Sequence, residues 1–243
     1  MAEVFQFINE KQVVSRFCQF ASQLFAANLL FILANLFLVF NLLILPNKLA
    51  NLSWIVLSLS LTGPSLTGLF YSLLKKIEGG TESVFKSFIK GYCKKFWSSL
   101  AMFILDLFVL YVFIFNMVRL EQATLMNLLA KVSVLLLALL TVGVLPVQFL
   151  LLARFETTFL GVMVNACLLA CHYWRVSVLN GVIIGSMLII GTILPVSLYI
   201  VFYFSFLVWG LLRNMKAMID KIDNEIASQK KKELRKHDCK EWT

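Results

Sequence analysis

Few residues in this chain have the type and spacing to do chemistry, and most of them lie inside long apolar runs. Asp106 is the one acidic residue within an apolar stretch of spanning length. A lone carboxylate there costs about 2.5–3.5 kcal/mol on insertion scales, so it should face the interior of a bundle and have a partner. Ser98, Ser133 and Asn180 are the candidate partners for a structural hydrogen bond; a polar site or proton carrier is the functional alternative. Aspartyl proteolysis within a membrane needs two facing carboxylates, and a zinc protease needs His-Glu-x-x-His; the chain has one intramembrane carboxylate, and its only histidines are His172 and His237. Cys167, Cys171 and His172 stand close together but lack a nearby fourth metal ligand, and an apolar helix stripe accounts for both cysteines. No glycine-rich phosphate loop is present. The expectation is a protein that is not an enzyme, with no cofactor and no metal.

A second group of residues concerns backbone rather than side-chain chemistry. Gly63-Pro64-Ser65-Leu66-Thr67-Gly68 lies inside an apolar run, where small residues let helices approach and a proline frees backbone carbonyls. Gly63, Pro64 and Gly68 are therefore candidates for either a packing kink or a polar niche. Arg154, in Arg154-Phe155-Glu156, closes another apolar run and is the remaining candidate of this kind.

The elements that position these residues follow from composition. Of 243 residues, 60% are apolar and 14% charged, with a mean hydropathy of +0.86. That is too little polar surface for a water-soluble fold, so the bilayer is the solvent for most of the chain. The expected fold is all-α, a polytopic transmembrane bundle. Six spans are predicted at about 22–45, 51–74, 96–118, 132–152, 176–193 and 195–212, with five as the fallback. The run 176–212 as one straight helix would be about 55 Å long against a hydrocarbon core near 30 Å. Gly191 and Pro195 are the predicted break, and one long tilted span plus an interfacial helix is the alternative. Residues 1–213 thus form a single transmembrane domain, and 214–243 a charged tail.

Two interfacial amphipathic helices are predicted on the cytoplasmic side, at about 82–97 and 155–174. In the first, Gly79-Gly80-Thr81-Glu82 reads as a helix start capped by Thr81. Val84, Phe85, Phe88, Ile89, Tyr92, Cys93, Phe96 and Trp97 share one face, while Lys86, Lys90 and Lys94 recur on the other. Phe85, Phe88, Tyr92 and Phe96, with these three lysines, are candidates for docking a partner or for lying on anionic inner-leaflet lipid. In the second helix Phe155, Phe159, Val162, Met163, Ala166, Cys167 and Ala170 make a weaker stripe. Both helices follow a proline-containing span (Pro64, Pro146) and feed an outgoing one, which suggests a repeat of two units related by an axis along the membrane normal.

Of the 22 Lys and Arg, only Lys48, Arg119 and Lys131 fall on one side of this plan. The positive-inside rule then places both termini in the cytoplasm. The net charge of +9 is accounted for by topology and anionic lipid, and no aromatic-and-basic nucleic-acid module surrounds it. The five cysteines are odd in number and lie at cytoplasmic depths, which argues against structural disulfides. No cleavable leader is read at the start.

Gly63 to Tyr71, followed by Lys75, Gly80, Phe85-Lys86-Ser87-Phe88 and Lys94-Lys95-Phe96, resembles the signature of the YesL-type bacterial membrane proteins, a family without an assigned activity. Arg154-Phe155-Glu156 is similar to its second short motif. The family tends to have an Asn before the Phe where this chain has Lys95. The resemblance implies a compact protein of the bacterial plasma membrane, an accessory subunit associated with a carbohydrate ABC importer. It does not imply a permease half, because neither cytoplasmic helix carries a Glu-Ala-Ala-type coupling loop. Two alternatives stay open: a small-solute transporter centred on Asp106 and the Gly63-Pro64 break, and an adaptor whose basic tail contacts a membrane sensor kinase.

Overall fold

The structure is a computed structural model that describes residues 2–44, 52–119, 125–155, 158–193 and 199–240. Ten α-helices run through these residues: α1 (Ala2–Ala34), α2 (Leu36–Ile44), α3 (Leu52–Ser60), α4 (Thr62–Ile77), α5 (Val84–Lys94), α6 (Phe96–Arg119), α7 (Leu125–Arg154), α8 (Phe159–His172), α9 (Trp174–Ile193) and α10 (Phe204–Lys240), the last preceded by a π-helical turn, Tyr199–Tyr203. No strand occurs among the described residues. Four stretches are long and apolar enough to cross a membrane: Val14–Ala34, Trp54–Ile77, Phe96–Phe113 and Trp174–Ile193. An all-helical membrane protein follows, since helices satisfy every backbone group where water is absent.

The structure corrects several predicted boundaries. The first predicted span, 22–45, is not one helix; helix begins at Ala2 and is interrupted at Asn35. There Asn35 Nδ2 donates both to the Phe31 carbonyl at 2.8 Å and to Ser65 Oγ at 2.7 Å, tying the interruption to α4. Leu45 and the turn Pro46-Asn47-Lys48 lie outside the described residues. The second span is broken at Leu61, which keeps helical dihedrals (φ −66, ψ −13), so the chain bends without reversing. Pro64 causes this by withholding the N–H that would have bonded the Ser60 carbonyl, and as the third residue of α4 it loses nothing within the new helix.

The third predicted span, 96–118, falls within α6, whose stretch Phe96–Phe113 is long and apolar enough to cross a membrane. The fourth falls within α7, where Thr141–Arg154 is a shorter apolar stretch and the side chains of Leu136, Leu139 and Leu140 lie outside the description. Between the two readings of 176–212, the structure gives two antiparallel helices. Asn214 Nδ2 donates to the Val176 carbonyl (3.1 Å) and to Asn180 Oδ1 (2.8 Å), while Tyr203 Oη donates to the Met187 carbonyl (2.7 Å). Gly191 stays inside α9; Pro195 lies outside the described residues.

Helix α4 is the hub of the bundle, touching α1, α3, α5, α6, α7 and α10. Its Leu69, Phe70, Leu73 and Leu74 are buried, and Phe70 stacks on Phe149 of α7 with ring centroids 6.0 Å apart. Phe103 of α6 meets the same Phe149 at 6.2 Å. By contrast, α6 and α9 turn large apolar side chains outward, among them Phe108, Tyr111, Leu188 and Ile189.

Two helix pairs, α4–α6 and α7–α9, make a close glycine contact at the same register. Gly63 of α4 lies against the carbonyl of Ser99, three residues into α6, and Gly143 of α7 lies against the carbonyl of Ser177, three residues into α9. A Cβ at either glycine would sit 2.6 Å from that oxygen. A cavity between α4 and α5 is lined by Lys90, Gly91, Lys94 and Lys95, and a groove between α7 and α8 by Leu168, Leu169, His172 and Tyr173 at the same spacing. The fold thus builds two similar recesses, only the first of which is strongly cationic.

Candidate functional site

The cationic recess depends on how α4 ends and α5 begins. Gly79, with φ +80, takes the left-handed conformation that glycine tolerates, and the Gly80 N–H returns to the Lys75 carbonyl at 2.8 Å. The two glycines therefore terminate α4, whereas the sequence reading took them to open the next helix. Ser83, not Thr81, caps α5, its Oγ accepting from the Lys86 N–H at 3.3 Å. Helix α5 is accordingly shorter than predicted, Val84–Lys94, and Phe96 already belongs to α6.

Helix α5 then lies along α4 at van der Waals distance. A Cβ on Gly91 would come within 2.6 Å of Tyr71 Cβ and 3.2 Å of Gly68 Cα, while one on Gly68 would meet the Phe88 carbonyl at 3.0 Å. Gly68 thus does serve close packing, with Gly91 as its unforeseen counterpart. The predicted single apolar face of α5 divides in two: Val84, Ser87, Phe88 and Gly91 are buried, whereas Phe85, Ile89 and Cys93 are exposed. Tyr92 and Phe96 are half-buried in an aromatic row with Phe88 and Trp97, successive centroids being 5.3–6.3 Å apart. Burial raises the Tyr92 phenol above its ordinary value of 10.0, with Cys93 adding to the shift, so Tyr92 is neutral at physiological pH.

Lys90 and Lys94 line the cavity, joined by Lys95, by Lys75 of α4 and by Arg154 at the end of α7. Lys86 does not line it. Thr67 and Tyr71 complete the polar wall, Glu78 is the only acidic lining residue among the described residues, and the volume is about 220 Å³. Arg154, with a side chain 20% exposed, lies 3.3 Å from Glu78 and pairs with Asp223 of α10. Lys75 is 3.9 Å from the same Glu78. Arg154 therefore ties α7 to the end of α4 and to α10, a role its place at the end of a span did not reveal.

Asp106 stands apart from this cavity. It is 5% exposed and accepts a hydrogen bond from the side chain of Gln148 on α7, not from Ser98, Ser133 or Asn180. Asn180 pairs with Asn214, and Ser133 bonds the Leu129 carbonyl of its own helix. Asp106 Oδ2 and Gln148 Oε1 are both buried without a hydrogen-bond partner among the described residues. Asp106→Asn is expected to keep the pair and leave stability near wild type. Asp106→Leu should cost about 1–3 kcal/mol, because it orphans Gln148. Unfolding midpoints in mixed dodecylmaltoside–SDS micelles distinguish the two.

Cys167 and Cys171 are both exposed, and among the described residues no group of three or more His, Cys, Asp or Glu converges on one point. Residues outside the sequence reading also matter: Asn28, fully buried in α1, accepts from the Phe204 and Ser205 N–H groups at the start of α10.

No curated protein matches the chain, and no solved structure does. A family model described as a protein of unknown function, DUF624, matches residues 24–117. That stretch runs from α1 through α6, so it contains the glycine contact of α4 with α5 and every lysine of the cavity, but not Arg154; over these residues the chain is similar to a family whose description assigns no activity.

Proposed function

We propose that the chain is a six-span protein of a bacterial plasma membrane, both termini cytoplasmic, acting without catalysis as an accessory subunit of a carbohydrate ABC importer. The observation that supports partner association is the outward apolar edge of the two short helices. Phe85 and Ile89 on α5, and Leu160, Val164 and Leu168 on α8, are exposed large side chains beside a buried opposite face. Such edges suit either lipid or the transmembrane helices of a neighbour. Interfacial placement of α5 and α8 agrees with Trp97, 78% exposed, and Trp174 at the starts of the helices that follow them. The importer as partner rests on the YesL-type resemblance, which includes the residues matched by the DUF624 description. Affinity purification of the tagged chain in a mild detergent is expected to recover a permease subunit, and Phe85→Ser/Ile89→Ser to reduce the yield severalfold. Recovery of neither permease nor binding protein, together with unchanged sugar uptake in a deletion strain, would falsify the reading.

A second reading, a small-solute transporter, is favoured by the buried Asp106–Gln148 pair with its two unsatisfied oxygens. Asp106→Asn and Pro64→Ala should then each abolish flux in proteoliposomes. Unaltered flux in both variants removes this alternative.

A further inference from the structure

We propose that the cavity between α4, α5 and α7 binds a phosphate group. Four lysines and an arginine line a space of about 220 Å³ in which Glu78 is the one carboxylate among the described residues; Lys94 has a further interaction of its own, so the cationic excess rests on the others. Glu78 is already engaged by Lys75 and Arg154, and Arg154 is also held by Asp223. Lys90 and Lys95 have no ion-pair partner among the described residues. Cations gathered around one cavity, beside Leu74, Leu152 and Phe155, repel one another, and a bound anion is the ordinary remedy.

The donor set fits phosphate better than a carboxylate. The lining lysines come from two successive turns of α5 and from α4, and the arginine from α7. A tetrahedral anion with several oxygens accepts from such separate directions, whereas a planar carboxylate suits one arginine fork. Thr67 Oγ1 is spent on the Gly63 carbonyl as donor, and Tyr71 lines the same wall. The volume is below the roughly 300–1,000 Å³ of pockets that enclose drug-sized ligands, so the cavity suits a phosphate or headgroup and not a whole oligosaccharide.

Two sources offer this chemistry. Lys94 and Lys95 immediately precede α6, and Lys75 lies in the last turn of α4, so the cavity stands at one end of two apolar helices where lipid phosphates reside. A soluble phosphate ester reaching the open side is the other source. The related groove on α8 has Leu168, His172 and Tyr173 where α5 and its end carry Lys90, Lys94 and Lys95, so cationic character is confined to one of the two recesses.

The test uses the full chain in nanodiscs, with thermal unfolding followed by tryptophan fluorescence. Stabilisation by phosphatidylglycerol mixed into phosphatidylcholine, but not by inorganic phosphate in pure phosphatidylcholine, identifies a lipid headgroup. Stabilisation by inorganic phosphate above an equal ionic strength of chloride identifies a soluble phosphate. In either case Lys90→Gln and Lys95→Gln are each expected to weaken the apparent affinity about tenfold. Lys90→Arg/Lys95→Arg should retain it. The glutamine variants should match or exceed wild-type stability without ligand, since they relieve repulsion, which separates lost binding from lost folding. Absence of stabilisation by both probes overturns the proposal. So does an equal loss in Lys216→Gln, an exposed cation on α10, because the effect would then be diffuse surface charge.

Discussion

Asn28→Ala is expected to lower the stability of the bundle by about 1–3 kcal/mol, the cost of removing the acceptor shared by two N–H groups at the head of α10. Asn28 is fully buried, and its Oδ1 accepts from Phe204 N at 2.9 Å and Ser205 N at 3.1 Å. Those amides lie where the π-helical turn Tyr199–Tyr203 passes into α10, a junction at which the helical hydrogen-bond register changes. A helix ordinarily obtains such an acceptor from its own N-cap side chain; here α1 supplies it from 176 residues away. The alternative partner, water, is scarce at a site where Phe31 packs on Phe204 with centroids 4.7 Å apart. Asn35→Ala is the informative comparison. Asn35 donates to a carbonyl of its own helix and to Ser65 Oγ, and Ser65 also donates to the Thr62 carbonyl, so its loss strands less. About 1 kcal/mol is expected there. SDS titration in mixed micelles, followed by far-UV circular dichroism, measures both. Equal midpoints for the two variants would remove the account of Asn28 as a cap supplied by another helix.

Asn28 also marks where sequence reasoning stops. A lone amide in an apolar run resembles the many small polar residues that bond their own helix, as Ser99 and Thr141 do. Nothing in local spacing indicates that its partner is the first turn of the last helix. Gln148 goes unrecognised for the same reason: the candidate partners of Asp106 include a residue of the right helix, Ser133 of α7, but not Gln148 itself. What was legible came from chemistry that changes along the chain: the start of α6 follows from Lys94-Lys95 and the aromatic pair after them, and the bend at Pro64 from the missing N–H. Periodicity found the apolar arc of α5 but not its division into Val84 and Phe88 inside, Phe85 and Ile89 outside. In a bilayer, protein and lipid are equally apolar neighbours, so hydrophobicity does not separate them. The arrival of Lys90, Lys94 and Arg154 at one cavity likewise depends on α7 crossing near α5, a tertiary fact.

Gly63→Ala is expected to cost about 1–3 kcal/mol, as overpacking does, and Gly63→Val more. A Cβ at Gly63 would lie 2.6 Å from both the Ser99 carbonyl oxygen and Phe103 Cβ. Neither atom is the free end of a side chain, so relief requires α4 and α6 to move apart. Separation is damaging in a membrane because helix association depends on close van der Waals contact, with no hydrophobic drive to compensate for a gap. Gly143 meets the Ser177 carbonyl at the same 2.6 Å on the α7–α9 pair, so Gly143→Ala should cost a similar amount. Gly185 has no atom within 4 Å of a built Cβ, and it lies inside α9. Alanine there is expected to be neutral or to stabilise by up to about 1 kcal/mol, through helix propensity alone. Midpoints from the same SDS titration order the three variants. A Gly185→Ala loss as large as the other two would show that any glycine replacement is harmful and would remove close approach as the cause. A harmless Gly143→Ala beside a damaging Gly63→Ala would break the equivalence of the two units, since the shared register requires both contacts to limit helix separation.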